Sequence, residues 1–207
     1  MAQGAGHAAL HPGRDALGRP RRGRLCYDRV DGAPRMMTIA TPGPITDDFL
    51  YELSRAIPEY AFERDEDGKL IVSPNHTEAG AKSGEAYYQI RRWQDETGIG
   101  GRAFDSSAGF RLSTAALRAP DASWISEERM AALSAEQRSR FWQACPDVAV
   151  EVASESDKWL EVKQKIERYM AAGARYAVAI DPQTGDIYEL GVAPNGLRLD
   201  FSKIVDA

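Results

Sequence analysis

Asp147-Val148-Ala149-Val150-Glu151-Val152-Ala153, followed by residues 154–173 and then Tyr176-Ala177-Val178-Ala179-Ile180, is the stretch that decides the fold. Its first segment is β-branched and mostly apolar, which marks a strand buried on both faces. Ser154-Glu155-Ser156-Asp157 predicts a loop and N-cap, and a helix is expected over residues 158–172. Trp159, Val162, Ile166 and Tyr169 share one apolar face of that helix, and Gly173 closes it. A strand, a helix and a strand in so short a length imply a right-handed parallel crossover. The class is therefore α/β, a mixed β-sheet flanked by helices.

Working outward, Thr46 or Asp47 caps a short helix ending near Ile57, with Phe49, Leu50, Leu53 and Ile57 on its buried face. Residues 60–64 and 69–73 pair as a hairpin around Asp67-Gly68. A helix is expected over residues 77–96, closed by Gly98, Gly100 and Gly101. Its small residues, Ala79, Gly80, Ala81, Ser83, Gly84 and Ala86, predict close packing on a sheet. Strands are expected at residues 102–105, 108–112 and 122–125, and a polar helical excursion at 126–144. Residues 186–190 and 197–201 complete the chain as a hairpin.

Composition narrows the function. At 207 residues, 43% hydrophobic and 28% charged, the chain has ordinary globular content for one domain with an appendage. No apolar run approaches the roughly 20 residues of a membrane span, and no signal peptide is visible, so a cytoplasmic location is expected. Cys26 and Cys145 are the only cysteines, which fits a reducing compartment better than a disulfide between them. Residues 1–36 carry seven arginines against three aspartates, a balance of +4 that leaves −9 on the remainder from a net charge of −5. This divides the chain into a basic leader, residues 1–37, expected to be disordered, and a folded domain, residues 38–207. The acidity of that domain counts against nucleic-acid binding unless metal ions or a local groove offset it.

Three residues carry the chemistry. Glu151 is a carboxylate in an apolar strand, flanked by Ala149 and Ala153, which leave space over it. Burying it ionised requires a neutralising partner. A divalent ion shared with Asp121 would serve, and two carboxylates with a backbone carbonyl at Val152 suit Mg²⁺ or Mn²⁺. Lys165, one helical turn before Tyr169, can reach back towards Glu151 and orient or deprotonate a water attacking a phosphodiester. Two plainer readings stay open: a structural Glu151–Lys165 salt bridge, and Asp121 as a turn residue after Pro120. His76 has a capping or surface role, or touches substrate; Gln164 and Arg168 flank the site helix. Trp124, Trp142 and Trp159 read as core or interface.

The order of these residues resembles the Uma-type restriction endonuclease family of the PD-(D/E)XK nuclease superfamily. The likeness runs through Phe62-Glu63, the Gly68 turn, Val72-Ser73-Pro74, residues 107–112, Pro120-Asp121-Ala122-Ser123-Trp124 and residues 146–157. It continues through residues 165–169, Ala172-Gly173-Ala174-Arg175-Tyr176 and Ile180-Asp181-Pro182. The resemblance implies a restriction-endonuclease-like fold, Asp121 and Glu151 as metal ligands, Lys165 as catalytic lysine and Glu63 as a further acid. The superfamily signature places its lysine two residues after the glutamate, where this chain has Ala153; Lys165 takes that role, with Lys163 as substitute. The expected activity is Mg²⁺- or Mn²⁺-dependent cleavage of DNA by a homodimer. The alternatives are an inert dimeric scaffold or binding module that keeps the nuclease fold, and a nucleotide hydrolase, which would lack a glycine-rich phosphate loop.

Overall fold

The structure, a computed structural model, describes residues 37–39 and 44–206. Residues 1–36 of the leader, with Cys26, His7 and His11, lie outside the described residues, and Met37 begins the first strand. The elements run β1 (Met37–Ile39), α1 (Asp47–Ala56), β2 (Tyr60–Arg64), β3 (Leu70–Pro74), α2 (Thr77–Thr97), β4 (Arg102–Asp105), β5 (Phe110–Arg111) and β6 (Leu117–Arg118). Then follow β7 (Ala122–Ile125), α3 (Glu127–Ala131), β8 (Val148–Val152), α4 (Trp159–Ala171), β9 (Tyr176–Ile180) and β10 (Ile187–Gly191).

The strands form two sheets where one was expected. The first has the order β1-β3-β2-β6-β5 and the second β10-β9-β8-β7-β4. As anticipated, β8 is the central strand of its sheet, buried along its whole length and parallel to β9. Alternation along β8 splits the core. Val148, Val150 and Val152 pack with Val178, Ile180, Trp124 and the α2 residues Ala86, Ile90 and Trp93. Ala149 faces the other way, against Ile166 and Tyr169 of α4. Each fully buried valine or isoleucine contributes about 1.5–3 kcal/mol, so a one-residue slip of β8 would forfeit both layers at once. A third cluster, Leu50, Phe62, Leu70, Val72 and Leu117, seats α1 on the first sheet.

Helix ends follow local chemistry. Thr46 caps α1, its Oγ1 accepting from the Phe49 N–H at 3.1 Å. Gly98 ends α2 in the left-handed conformation at φ 66°. Gly101, at φ 103°, tolerates no side chain, because a Cβ there would lie 2.2 Å from the Ile125 carbonyl oxygen. That close approach sets β4 against β7.

Four expectations need correcting. Within α2 only Ser83 and Ala86 of the small residues are buried, while Gly80, Ala81 and Gly84 face outward. Asp157 does not cap α4; its Oδ2 accepts from the Ser154 N–H and Oγ, both at 2.8 Å, and Lys158 occupies the cap position. Residues 126–144 are helical only in α3, because Trp142 returns to the first sheet, exchanging backbone hydrogen bonds with Gly109 and Arg111. Residues 197–201 form no strand: short 3₁₀ turns at Pro194–Gly196 and Phe201–Lys203 let Leu197 and Ile204 fill the core beside α2. Cys145 is buried with a free thiol.

Asp147 anchors the entry to β8. It is fully buried, accepts from the Ser126 N–H at 2.7 Å, and lies 3.1 Å from Arg129 and 3.0 Å from Arg175. Asp147→Ala leaves the buried Ser126 N–H without its acceptor, while Arg129 keeps the Cys145 and Gly173 carbonyls, and is expected to cost about 1–3 kcal/mol, read as a lowered denaturation midpoint. A change under about 0.5 kcal/mol, the range of an ordinary surface substitution, would show that this anchor is dispensable.

Candidate active site

The β7–β8 register pairs Ala122 with Val150 and Ser123 with Ala149. Extended by one residue, the same register sets Asp121 opposite Glu151, where directly opposed side chains approach closely. The Asp121 carboxylate occupies the end of the ladder. Its Oδ2 accepts from the Val152 N–H at 2.8 Å and its Oδ1 from the Ser83 hydroxyl of α2 at 2.9 Å. Glu151, 5% exposed, points towards α4. There the Lys165 ammonium donates to its Oε2 at 2.9 Å and the Tyr169 hydroxyl to its Oε1 at 2.8 Å. Lys165 and Tyr169 are four apart, so one helical face presents both.

Glu63 comes from the first sheet. Its Oε1 lies 3.0 Å from Lys165 Nζ and accepts from the Ala119 N–H at 2.7 Å. The buried Arg118 of β6 lies 3.4 Å from Glu63 and 2.9 Å from Glu66. Lys165 is thus shared by two acids from different sheets, and Asp121, Glu151, Glu63 and Lys165 form one group, as the sequence led one to expect. They line a cleft of about 710 Å³.

Electrostatics separates the acids. Burial pushes the Glu151 carboxyl up to about 8, with Asp121 and Glu63 adding repulsion that Lys165 only partly relieves. Burial also raises Asp121, against the hydrogen bonds from Val152 and Ser83. Glu63 is penalised by burial too, but Lys165, Arg118 and the Ala119 N–H more than compensate, so it lies below the usual carboxylate range. Burial acts to lower Lys165, and Glu151 and Glu63 overcome it, raising the group. Lys165 is therefore held as an ammonium that donates hydrogen bonds to both acids.

Other candidates separate clearly. Lys163 lies over the Trp159 and Tyr188 rings at 6.0 and 5.8 Å, away from the cleft. Gln164 and Arg168 line the cleft, and Arg168 Nε is 3.5 Å from Glu66. His76 lines it too; it holds the N-cap position of α2 without a side-chain cap, and its buried Nε2 has no hydrogen-bond partner among the described residues. Trp124 is core, edge-on to Trp93 at 5.2 Å between ring centroids. The sequence missed Ser83, Arg118 and the polar role of Tyr169. Only Tyr169 left a signal, its spacing from Lys165.

The donor set fits a hard divalent ion. Asp121 and Glu151 set two carboxylates side by side whose pKa values burial raises and Lys165 only partly relieves, and Mg²⁺ is usually held by one or two carboxylates plus water. Among the described residues, no cluster of three or more acids, histidines or cysteines forms an all-protein cage.

With this geometry in view, comparison with known proteins is informative. The model of the Uma2 family, described as "Putative restriction endonuclease", matches residues 47–193. The chain belongs to the Uma2 family. Among solved structures, a protein described as a "putative nuclease belonging to DUF820" from Anabaena variabilis ATCC 29413 is similar, with 24% identity and a TM-score of 0.52. The match covers 67% of this chain and 75% of that one, and supports the restriction-endonuclease-like fold of this Uma2 member. No curated protein sequence matches. No described helix is long and apolar enough to cross a membrane.

Two outcomes test the site. Tyr169→Phe strips a buried Glu151 oxygen of its donor and is expected to cost about 1–3 kcal/mol in denaturant titration. With burial pushing the Glu151 carboxyl up to about 8, an ion held there would compete with its proton. Mn²⁺ affinity is therefore expected to fall as the pH is lowered from about 8 to about 6; an affinity independent of pH over that range would show that Glu151 does not bind the ion.

Proposed function

We propose that this Uma2 member is a metal-dependent nuclease that hydrolyses phosphodiester bonds in DNA, with Mg²⁺ or Mn²⁺ held by Asp121, Glu151 and the Val152 carbonyl. The observation that carries the reading is the meeting of two opposed, charge-deficient carboxylates with a lysine ammonium in one cleft. The printed descriptions of the family and of the Anabaena protein support it. A bound ion would lower the pKa of its water and offset charge developing on the phosphoryl group. The chain supplies the rest. Lys165 donates to a phosphate oxygen or orients the attacking water, Glu63 and Tyr169 hold Lys165 and Glu151 in position, and Ser83 fixes the Asp121 rotamer. A homodimer follows if both strands of a duplex are cut in one encounter.

One observation favours a second reading, an inert scaffold. Lys165 is satisfied by Glu63 and Glu151, and Asp121 by Ser83 and Val152, so the network can close on itself.

Cleavage assays separate the two. In the presence of Mn²⁺, Asp121→Ala and Lys165→Ala are each expected to lower kcat about 100- to 1,000-fold. Lys163→Ala should stay within about twofold, as for an exposed helix charge, and chelation should abolish cleavage until Mn²⁺ is restored. Cleavage that survives chelation contradicts the metal dependence, cleavage that survives Lys165→Ala contradicts the role of the lysine, and no cleavage by the unmodified chain with Mn²⁺ favours the scaffold.

A further inference from the structure

We propose that the cleft takes a single nucleic-acid strand with unpaired bases, its bases against an aromatic wall and its backbone over the acid–lysine group. The inference rests on the nuclease reading above and narrows its substrate.

Charge is the first argument. A duplex binder neutralises roughly 6–10 phosphates with lysine and arginine. Here the described lining residues include six acids, Glu63, Asp65, Asp121, Glu151, Asp157 and Glu161, against three cations, Lys165, Arg118 and Arg168. Each cation is already engaged. Lys165 serves Glu63 and Glu151, Arg118 serves Glu63 and Glu66, and Arg168 lies against Glu66. Even with a divalent ion bound, such a lining suits few phosphates.

Shape is the second. At about 710 Å³ the cleft falls in the roughly 300–1,000 Å³ range of small-ligand sites. A cavity of this size holds a short run of one strand and not the full width of a duplex.

The lining chemistry is the third. One wall is apolar and aromatic, with the half-buried Tyr60 and Phe141 exposed to the cleft and Phe62 behind them in the core. Phe141 packs so closely on Gly109 that a Cβ there would come within 2.5 Å of its ring, and Tyr51 meets it edge-on at 6.3 Å between centroids. The ring is thereby held in place as part of the cleft wall. On α2, His76, Ala79, Gly80 and Ser83 follow one helical stripe along the cleft and end at Asp121. Three of the four are small, which leaves width for a backbone. Aromatic faces beside a groove that tracks the backbone are how proteins hold unpaired strands regardless of sequence, and where cations usually meet the backbone charge a divalent ion would meet it here.

The test uses the full chain with Mn²⁺ on four substrates. These are a single-stranded oligodeoxynucleotide, the same sequence as a blunt duplex, the corresponding single-stranded RNA, and bis(p-nitrophenyl) phosphate. A single strand is expected to exceed the duplex at least about tenfold in kcat/KM. Preference for the RNA strand over the DNA strand would support the unpaired-strand inference and reassign the sugar. Phe141→Ala and the milder Phe141→Leu should raise KM for the strand at least about fivefold while kcat stays within about twofold, whereas a folding defect would depress kcat. Equal or better cleavage of the duplex overturns the inference, as does a KM unmoved by Phe141→Leu. If none of the four substrates is cleaved, the nuclease reading fails and carries this inference with it.

Discussion

Two carboxylates set opposite each other at the ends of adjacent strands, and largely removed from water, repel each other at a cost that the surrounding structure must answer. Asp121 and Glu151 stand in that relation because the β7–β8 register leaves them no other. The neighbours respond in kind. Ser83 and the Val152 N–H take Asp121, Tyr169 and Lys165 take Glu151, and Glu63 reaches across from the other sheet to share the lysine. Even so, Glu151 remains pushed up to about 8. A protein keeps such an arrangement where something else completes it.

The two-sheet construction makes that meeting possible. The second sheet alone would offer Asp121, Glu151 and the α4 face. Glu63 and Arg118 come from the first sheet, brought in by the short link between β6 and β7. Arg118 keeps Glu63 ionised beside Lys165, and so acts on the site through Glu63 without facing the acids at its centre.

Much of this was legible in the sequence. The β8–α4–β9 unit announces itself because two faces of a buried strand and one face of a helix impose unmistakable periodicities. Asp121, Glu151 and Lys165 stand out as charges breaking those patterns, and the family resemblance added Glu63. What stayed hidden had weak local signals. β6 has only two residues, too few for any alternation, so the buried Arg118 it carries was invisible. Residues 126–144 contain Leu133, Phe141 and Trp142, which mimic a helical face, but tertiary pairing with the first sheet decides their path. The small residues of α2 were read as packing residues; the structure turns part of that stripe towards the cleft. Tyr169 was assigned to the core for its ring, and its hydroxyl proved to matter as much.

Part of the acidity of the folded domain, a difficulty for any nucleic-acid enzyme, lies where a divalent ion would relieve it. That is the central claim, and isothermal titration of Mn²⁺ into the protein tests it most directly, comparing the unmodified chain with Glu151→Ala. The account predicts saturable binding that the substitution abolishes. Absence of binding to the unmodified chain, with and without added DNA, would contradict it and leave the Asp121–Glu151–Lys165–Glu63 group as a structural ion network.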